Sequence, residues 1–235
     1  METMTDNIIN NYNNVVHNVA EAAYKASRKK EEIRIIAVTK FVEQARIAKA
    51  IEANCKEVGE NRAQELVDKY SFFKSNNQFT HFIGQLQQNK VKYLVGRADL
   101  IQSADRLDVF SEINRIADKH GLIQNTLVEI NIGDEPQKAG VLPQYLPELL
   151  KRISEMPSVC VRGLMCVPPV VGLEEQRRYF AHMRELFINM KRLDLPNVFM
   201  DELSMGMSRD YPLAVAEGAT MVRIGSAIFG ERHRQ

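Results

Sequence analysis

Lys40 closes a short apolar run, Ile33-Arg34-Ile35-Ile36-Ala37-Val38, with only Thr39 between. A lysine that ends a buried strand reaches water poorly, so desolvation lowers its pKa and leaves part of the amine neutral. Neutral amine is the form that condenses with an aldehyde into a Schiff base. The same position also suits an ordinary surface lysine in a strand-to-helix loop. Two later segments combine hydroxyls with glycine: Ser204-Met205-Gly206-Met207-Ser208 and Ile224-Gly225-Ser226-Ala227. Glycine lets backbone N–H groups close on an anion, and Ser226 would open a short closing helix whose dipole favours a phosphate. Each segment alone also reads as turn chemistry with N-capping; their pairing late in the chain favours an anion site. Arg223, between Val222 and Ile224, points to the opposite face from both if the segment is a strand. Facing inwards it needs an acceptor, for which a pyridine nitrogen or a carboxylate would serve; facing outwards it would snorkel among helices. Asn61, in Gly59-Glu60-Asn61, offers either a polar group at the rim of a pocket or the N-cap of the helix that follows.

These residues need elements to position them, and the hydrophobic period supplies a candidate order. A long opening helix over 5–29 carries Ile8, Tyr12, Val15, Val19 and Ala23 at spacings of three and four. Strands follow at 33–38, 57–58, 79–83, 100–102, 126–132, 159–167, 198–204 and 220–224, several of them closed by glycine or serine. Helices alternate with them at about 43–53, 61–73, 87–95, 106–119, 143–155, 174–190 and 208–217. Strict alternation implies a parallel sheet with helices outside it. About eight units in 235 residues favour an α/β fold of the closed (β/α)8 TIM-barrel type with an extra N-terminal helix. A doubly wound open sheet is the alternative. No linker or low-complexity tract divides the chain, so residues 1–235 are expected to form one domain. In such a barrel the chemistry lies at the carboxyl ends of the strands, and a phosphate commonly binds after strands seven and eight.

Composition narrows the function class. Formal net charge is +1, from 31 basic and 30 acidic residues, which gives no electrostatic case for nucleic acid or an anionic membrane as partner. The ending Arg232-His233-Arg234 is too short to change this. The first residues carry acids and no basic-then-apolar leader, and no apolar run approaches the ~20 residues of a membrane span. Cys55, Cys160 and Cys166 are odd in number without paired short spacings, which fits small buried side chains in a reducing cytoplasm. The five histidines are scattered, and no metal is expected.

The ordered blocks Ile36-Ala37-Val38-Thr39-Lys40, Gly59-Glu60-Asn61-Arg62-Ala63-Gln64-Glu65, His81 to Lys90, Arg162 to Pro168, Leu203 to Ser208 and Val222 to Gly230 resemble the pyridoxal phosphate homeostasis (YggS/PROSC) family. The resemblance runs from about residue 33 to 231. It implies a barrel like the N-terminal domain of alanine racemase, with pyridoxal 5′-phosphate (PLP) as cofactor held as a Schiff base on Lys40. It further implies phosphate contacts at Ser204, Gly225 and Ser226, with Met205 and Gly206 nearby, Arg223 at the pyridine nitrogen and Asn61 near the ring. Gln85 departs from a frequent proline and Ser226 from a common threonine; both keep a workable loop.

The same pocket suits a non-catalytic carrier in PLP (vitamin B6) homeostasis, an amino-acid racemase, or a barrel enzyme for another phosphorylated ligand. An arginine opposite the ring nitrogen does not give up its proton (pKa above ~12), so it weakens the cofactor as an electron sink. Two-base racemisation also needs an acid/base on the far face of the substrate. The eleven residues after Ile224 leave no room for the second domain that racemases use, and Tyr211 reads as an ordinary helix residue. A carrier is therefore expected, with no catalytic residue assigned. PLP is its ligand, PLP-dependent apo-enzymes are its recipients, and the polar opening helix, lacking a heptad seam, suits a monomer.

Overall fold

The computed structural model describes residues 7–231; Thr5 and Asp6 of the expected opening helix and the basic ending 232–234 lie outside them. Eight strands pair in parallel and close into a barrel in the order β1 to β8. They are β1 (Arg34–Val38), β2 (Glu57–Glu60), β3 (Phe79–Phe82), β4 (Leu100–Ala104), β5 (Gln124–Ile130), β6 (Val159–Cys166), β7 (Val198–Met207) and β8 (Met221–Ile224). The closing pair sets Ile36 beside Arg223 and Ala37 beside Ile224, so an open doubly wound sheet is excluded. Helices alternate outside: α1 (Asn7–Lys25), α2 (Gln44–Glu52), α3 (Ala63–Ser75), α4 (Val91–Leu94), α5 (Leu107–Lys119), α6 (Leu146–Ser154), α7 (Leu173–Lys191), α8 (Tyr211–Ala216) and α9 (Ser226–Phe229). None of them is long and apolar enough to cross a membrane.

Each helix buries one stripe and leaves the other in water. In α5 the stripe is Val109, Phe110, Ile113, Ile116 and Ala117; in α1 it is Ile8, Tyr12, Val15, Val19, Ala22 and Ala23. The extra helix α1 packs on α8 and α9, where Asn11 Nδ2 donates to the Ile228 carbonyl at 3.0 Å. Two apolar layers result. The larger lies between strands and helices. The smaller fills the lumen with Ile36, Leu100, Leu127, Met165 and Met221, with Phe79 against them. Strands buried on both faces explain why they read as near-continuous apolar runs.

Three boundaries move from the sequence expectation. The helix expected over 87–95 is a 3-10 turn, Gln88–Lys90, followed by the single turn of α4. The strand expected to end near Ser204 continues to Met207, because Ser204 and Met205 are both fully buried and remain in the sheet. The helix expected from 208 begins at Tyr211, after a turn in which the Met207 N–H donates to Asp210 Oδ1 at 2.6 Å.

Candidate functional site

Closure makes β7, β8, β1 and β2 consecutive neighbours, so their carboxyl ends form one arc of the rim. Lys40 follows β1 and is half-buried. Helix α3 holds the backbone on both sides of it. Lys69 Nζ donates to the Thr39 carbonyl at 2.8 Å, and the Phe41 N–H donates to Glu65 Oε2 at 2.7 Å. Phe41 adopts a left-handed φ of +61° with the Arg62 guanidinium 4.5 Å over its ring. A bulky side chain held in that region marks a turn that its surroundings over-determine. Beneath the turn Glu60 is fully buried; it accepts from Thr39 Oγ1 at 2.7 Å and from Lys69 at 2.9 Å. Burial pushes its carboxyl above the usual range while Lys69 and Thr39 pull it back.

Asn61 follows β2. The N-cap of α3 is Arg62, which makes no side-chain capping bond, and Asn61 Oδ1 is buried with no hydrogen-bond partner. Capping therefore does not account for Asn61. A buried acceptor without a donor is costly and awaits a ligand or water.

After β8, Gly225 caps α9 and Ser226 opens it, as the sequence implied. The Gly225 and Ala227 N–H groups both donate to Ser208 Oγ, at 3.2 and 3.3 Å. That hydroxyl marks the point on which the two amides converge, and the Met207–Asp210 turn carries it there. The Gly225 backbone lies against β1: a Cβ built there would be 3.5 Å from Val38 Cβ, two residues before Lys40. Gly206 has φ +91°, and a Cβ on it would meet Ala214 Cβ at 2.5 Å, so it lets β7 turn beneath α8. Met205 points into the helix layer.

Arg223 faces the lumen and is only 4% exposed, whereas Val222 and Ile224 face the helices. Its Nη1 donates to Ser204 Oγ and its Nη2 to the Cys166 carbonyl, both at 2.7 Å. Among the described residues no carboxylate lies within ion-pair distance of it. These two bonds use two of five N–H donors. Ser204 thus stands below the rim, with its hydroxyl given to Gln102 Oε1 at 2.7 Å.

Sequence reasoning passed over Ser208 as an individual group, and also Gln102 and Glu129. Glu129 shares the lumen face with Leu127, two residues earlier, and the period of two was the available signal. Burial, with the Asp105 carboxylate adding and Arg223 opposing, pushes its carboxyl up to about 7. A carboxyl whose folded pKa is raised contributes stability below its unfolded value, near 4.5, and loses it as pH rises through about 7. Urea unfolding of the ligand-free protein is expected to weaken by about 3 kcal/mol at most between pH 5 and pH 8 from this group. Glu129→Gln should flatten that part of the profile. An unchanged slope in the variant would assign it elsewhere.

The alanine racemase N-terminal domain family model matches residues 11–233. A pyridoxal phosphate homeostasis protein of Aquifex aeolicus is 42% identical over 93% of this chain and 95% of its own. One from Haemophilus influenzae is 38% identical over 97% of each. Among solved structures, PipY of Synechococcus elongatus with PLP bound superposes with a TM-score of 0.80 at 34% identity, covering 90% of this chain and 100% of that one. Alanine racemase from Corynebacterium glutamicum, at 14% identity and a TM-score of 0.68, shares the fold over 91% of this chain and 59% of its own. With matches at this identity along nearly its whole length, the chain belongs to the pyridoxal phosphate homeostasis protein family, built on the alanine racemase N-terminal barrel.

Proposed function

We propose that this chain binds pyridoxal 5′-phosphate as a Schiff base on Lys40 and serves PLP homeostasis in the cytoplasm as a carrier without robust turnover. The observation that carries the reading is the convergence on one arc of the rim. An amine follows β1, an orphaned amide oxygen follows β2, two amides converge on one hydroxyl after β8, and in the lumen lies a guanidinium with no carboxylate at ion-pair distance among the described residues. These groups fit a ligand with an aldehyde, a polar aromatic ring and an anionic tail. Gly225, Ser226 and Ser208 would hold the phosphate, with Gly206 allowing the close turn. Ser204 and Met205 serve from behind, Ser204 by holding Arg223. The remaining Arg223 donors face the ring nitrogen, and Asn61 Oδ1 accepts from a donor at the ring or from water.

When bound, the cofactor supplies an electrophilic carbonyl and an electron-withdrawing ring. Arg223 limits the second property, because a guanidinium keeps its proton and donates without protonating the ring. Tyr211 is buried in α8 and Cys166 is fully buried with its thiol pushed up to about 12, so neither supplies a ready acid/base at the mouth. The recipients of a carried cofactor would be PLP-dependent apo-enzymes.

Borohydride reduction of the PLP-loaded protein, followed by peptide mass analysis, is expected to leave one stable adduct on the peptide containing Lys40. No sustained deuterium incorporation at the Cα of common L-amino acids is expected. An adduct on another lysine would displace Lys40 from the site, and steady Cα exchange would make the protein a racemase.

A further inference from the structure

An unbroken series of side-chain hydrogen bonds crosses the lumen from the amino-terminal floor of the barrel to Arg223. Arg34 Nε donates to Glu57 Oε1 at 2.6 Å, and Arg34 Nη1 to Glu202 Oε1 at 2.8 Å. Glu57 Oε2 is 2.9 Å from His81 Nε2, and His81 Nδ1 is 2.9 Å from Gln102 Nε2. Ser204 Oγ and Gln102 Oε1 are 2.7 Å apart, as are Arg223 Nη1 and Ser204 Oγ. The members come from β1, β2, β3, β4, β7 and β8. His81, Gln102 and Ser204 are each 0% exposed, so bulk water cannot replace a missing link.

The chemistry of the groups gives this chain one direction. A guanidinium only donates, so the Ser204 oxygen accepts from Arg223 and its single hydrogen goes to Gln102 Oε1. That orients the amide, whose NH₂ then donates to His81 Nδ1. Nδ1 must therefore carry no hydrogen, and Nε2–H donates to the Glu57 carboxylate. Burial raises the Glu57 pKa, but the His81 and Arg34 contacts outweigh it and hold the carboxyl below its usual range. Burial pushes the His81 pKa down and favours the neutral ring. The charged groups around His81 are Glu57 on β2, Arg34 on β1 and Asp99 before β4. Protonation at Nδ1 would set two donors face to face. Turning the Gln102 amide would relieve this, but would leave the Ser204 oxygen facing donors on both sides.

We propose that His81, Gln102 and Ser204 are positioning residues that hold the Arg223 guanidinium in one orientation towards the ring of the bound cofactor. The direction of the chain is anchored at the floor by Glu57 and Arg34. The inference rests on the reading that Arg223 meets the ring nitrogen. Each link acts on the next: breaking one frees the neighbour's donor or acceptor and with it the aim of Arg223.

Two measurements test this. In ligand-free protein, the ¹⁵N resonances of the His81 ring are expected to report hydrogen on Nε2 alone from about pH 5 to pH 8. In Ser204→Ala the freed Gln102 amide can turn its oxygen to Nδ1, so the His81 midpoint should rise by a pH unit or more, about ten-fold in proton affinity. A purely local role for Ser204 would not move a ring two links away. Hydrogen on Nδ1 in the wild type, or an unchanged midpoint in Ser204→Ala, overturns the chain. In the second measurement PLP affinity is followed by absorbance. Gln102→Met, which removes both links, should weaken binding about ten-fold, the scale of one net hydrogen bond. Gln102→Glu should recover most of it by accepting from Ser204 and from a protonated His81. Equal affinity in Gln102→Met and wild type removes the positioning role and leaves the cofactor reading standing. No ligand absorbance in the wild type removes the cofactor reading and the positioning role together, while the ring resonances still report the direction of the chain.

Discussion

Lys40→Ala is expected to lose the visible absorbance of the PLP-loaded protein completely while unfolding as the wild type does. The loss follows from covalent attachment, since no other amine follows a strand on the β7–β8–β1–β2 arc among the described residues. Retention of the fold follows from how the turn is held. Lys69 grips the Thr39 carbonyl and Glu65 the Phe41 amide, both independent of the Lys40 side chain. Replacing one half-buried side chain in a turn held by these backbone contacts should change stability by about 1 kcal/mol, the usual size for a point substitution. Noncovalent binding through the α9 amides should persist at lower affinity, visible as protection by inorganic phosphate or the alcohol form of the vitamer. Absorbance spectra with circular dichroism check both halves. A Lys40→Ala protein that keeps its yellow band would overturn the Schiff-base assignment, and one that fails to fold would give Lys40 a structural role.

Gly84→Ala should destabilise the protein by about 3 kcal/mol or more, the upper range for forcing atoms into a packed site. A Cβ at Gly84 would lie 1.9 Å from the Asn61 carbonyl oxygen and 2.7 Å from Asn61 Cα. These are backbone atoms, so no side-chain rotation relieves the overlap. The Ser103 hydroxyl donates to the Gly84 carbonyl, and the Ile83 N–H donates to the Glu60 carbonyl at 2.9 Å, so Gly84 cannot retreat freely either. The backbone of Asn61 must therefore shift, and the orphaned Oδ1 with it. Urea unfolding measures the first effect and PLP titration of the remaining folded protein the second. A variant with wild-type stability would mean that the rim adjusts more easily than this packing allows.

Gly84 illustrates what could be read without coordinates. Its place after Phe82-Ile83 marked the end of a strand, and the strand does end at Phe82. That glycine was required because Asn61 passes within van der Waals distance could not be read, since the two residues lie on different loops. The same split runs through the site. Local pattern placed Lys40 after a strand, Gly225 and Ser226 at a helix start, and Arg223 opposite Val222 and Ile224, because each depends on neighbours a few residues away. It misplaced the end of β7, because whether Ser204 belongs to a loop or a strand depends on Gln102 and Arg223, distant in sequence. Glu129 was missed because the period of two puts it on the face of Leu127 without saying that this face is the buried lumen, which only the neighbouring strands decide.

Residue order and hydrophobic period were enough to mark about eight alternating strand–helix units, a lysine just after the first strand and hydroxyl–glycine segments near the ends of the last two. Whether those ends would ever meet depended on the β1–β8 pairing, which hydrogen-bonds Arg34–Ala37 along Met221–Ile224. No periodicity encodes that contact, because ring closure is a global condition on strand number, tilt and stagger. Closure alone brings Lys40 and the α9 amides to one rim and lets side chains from six strands share a buried lumen, where polar groups must satisfy one another.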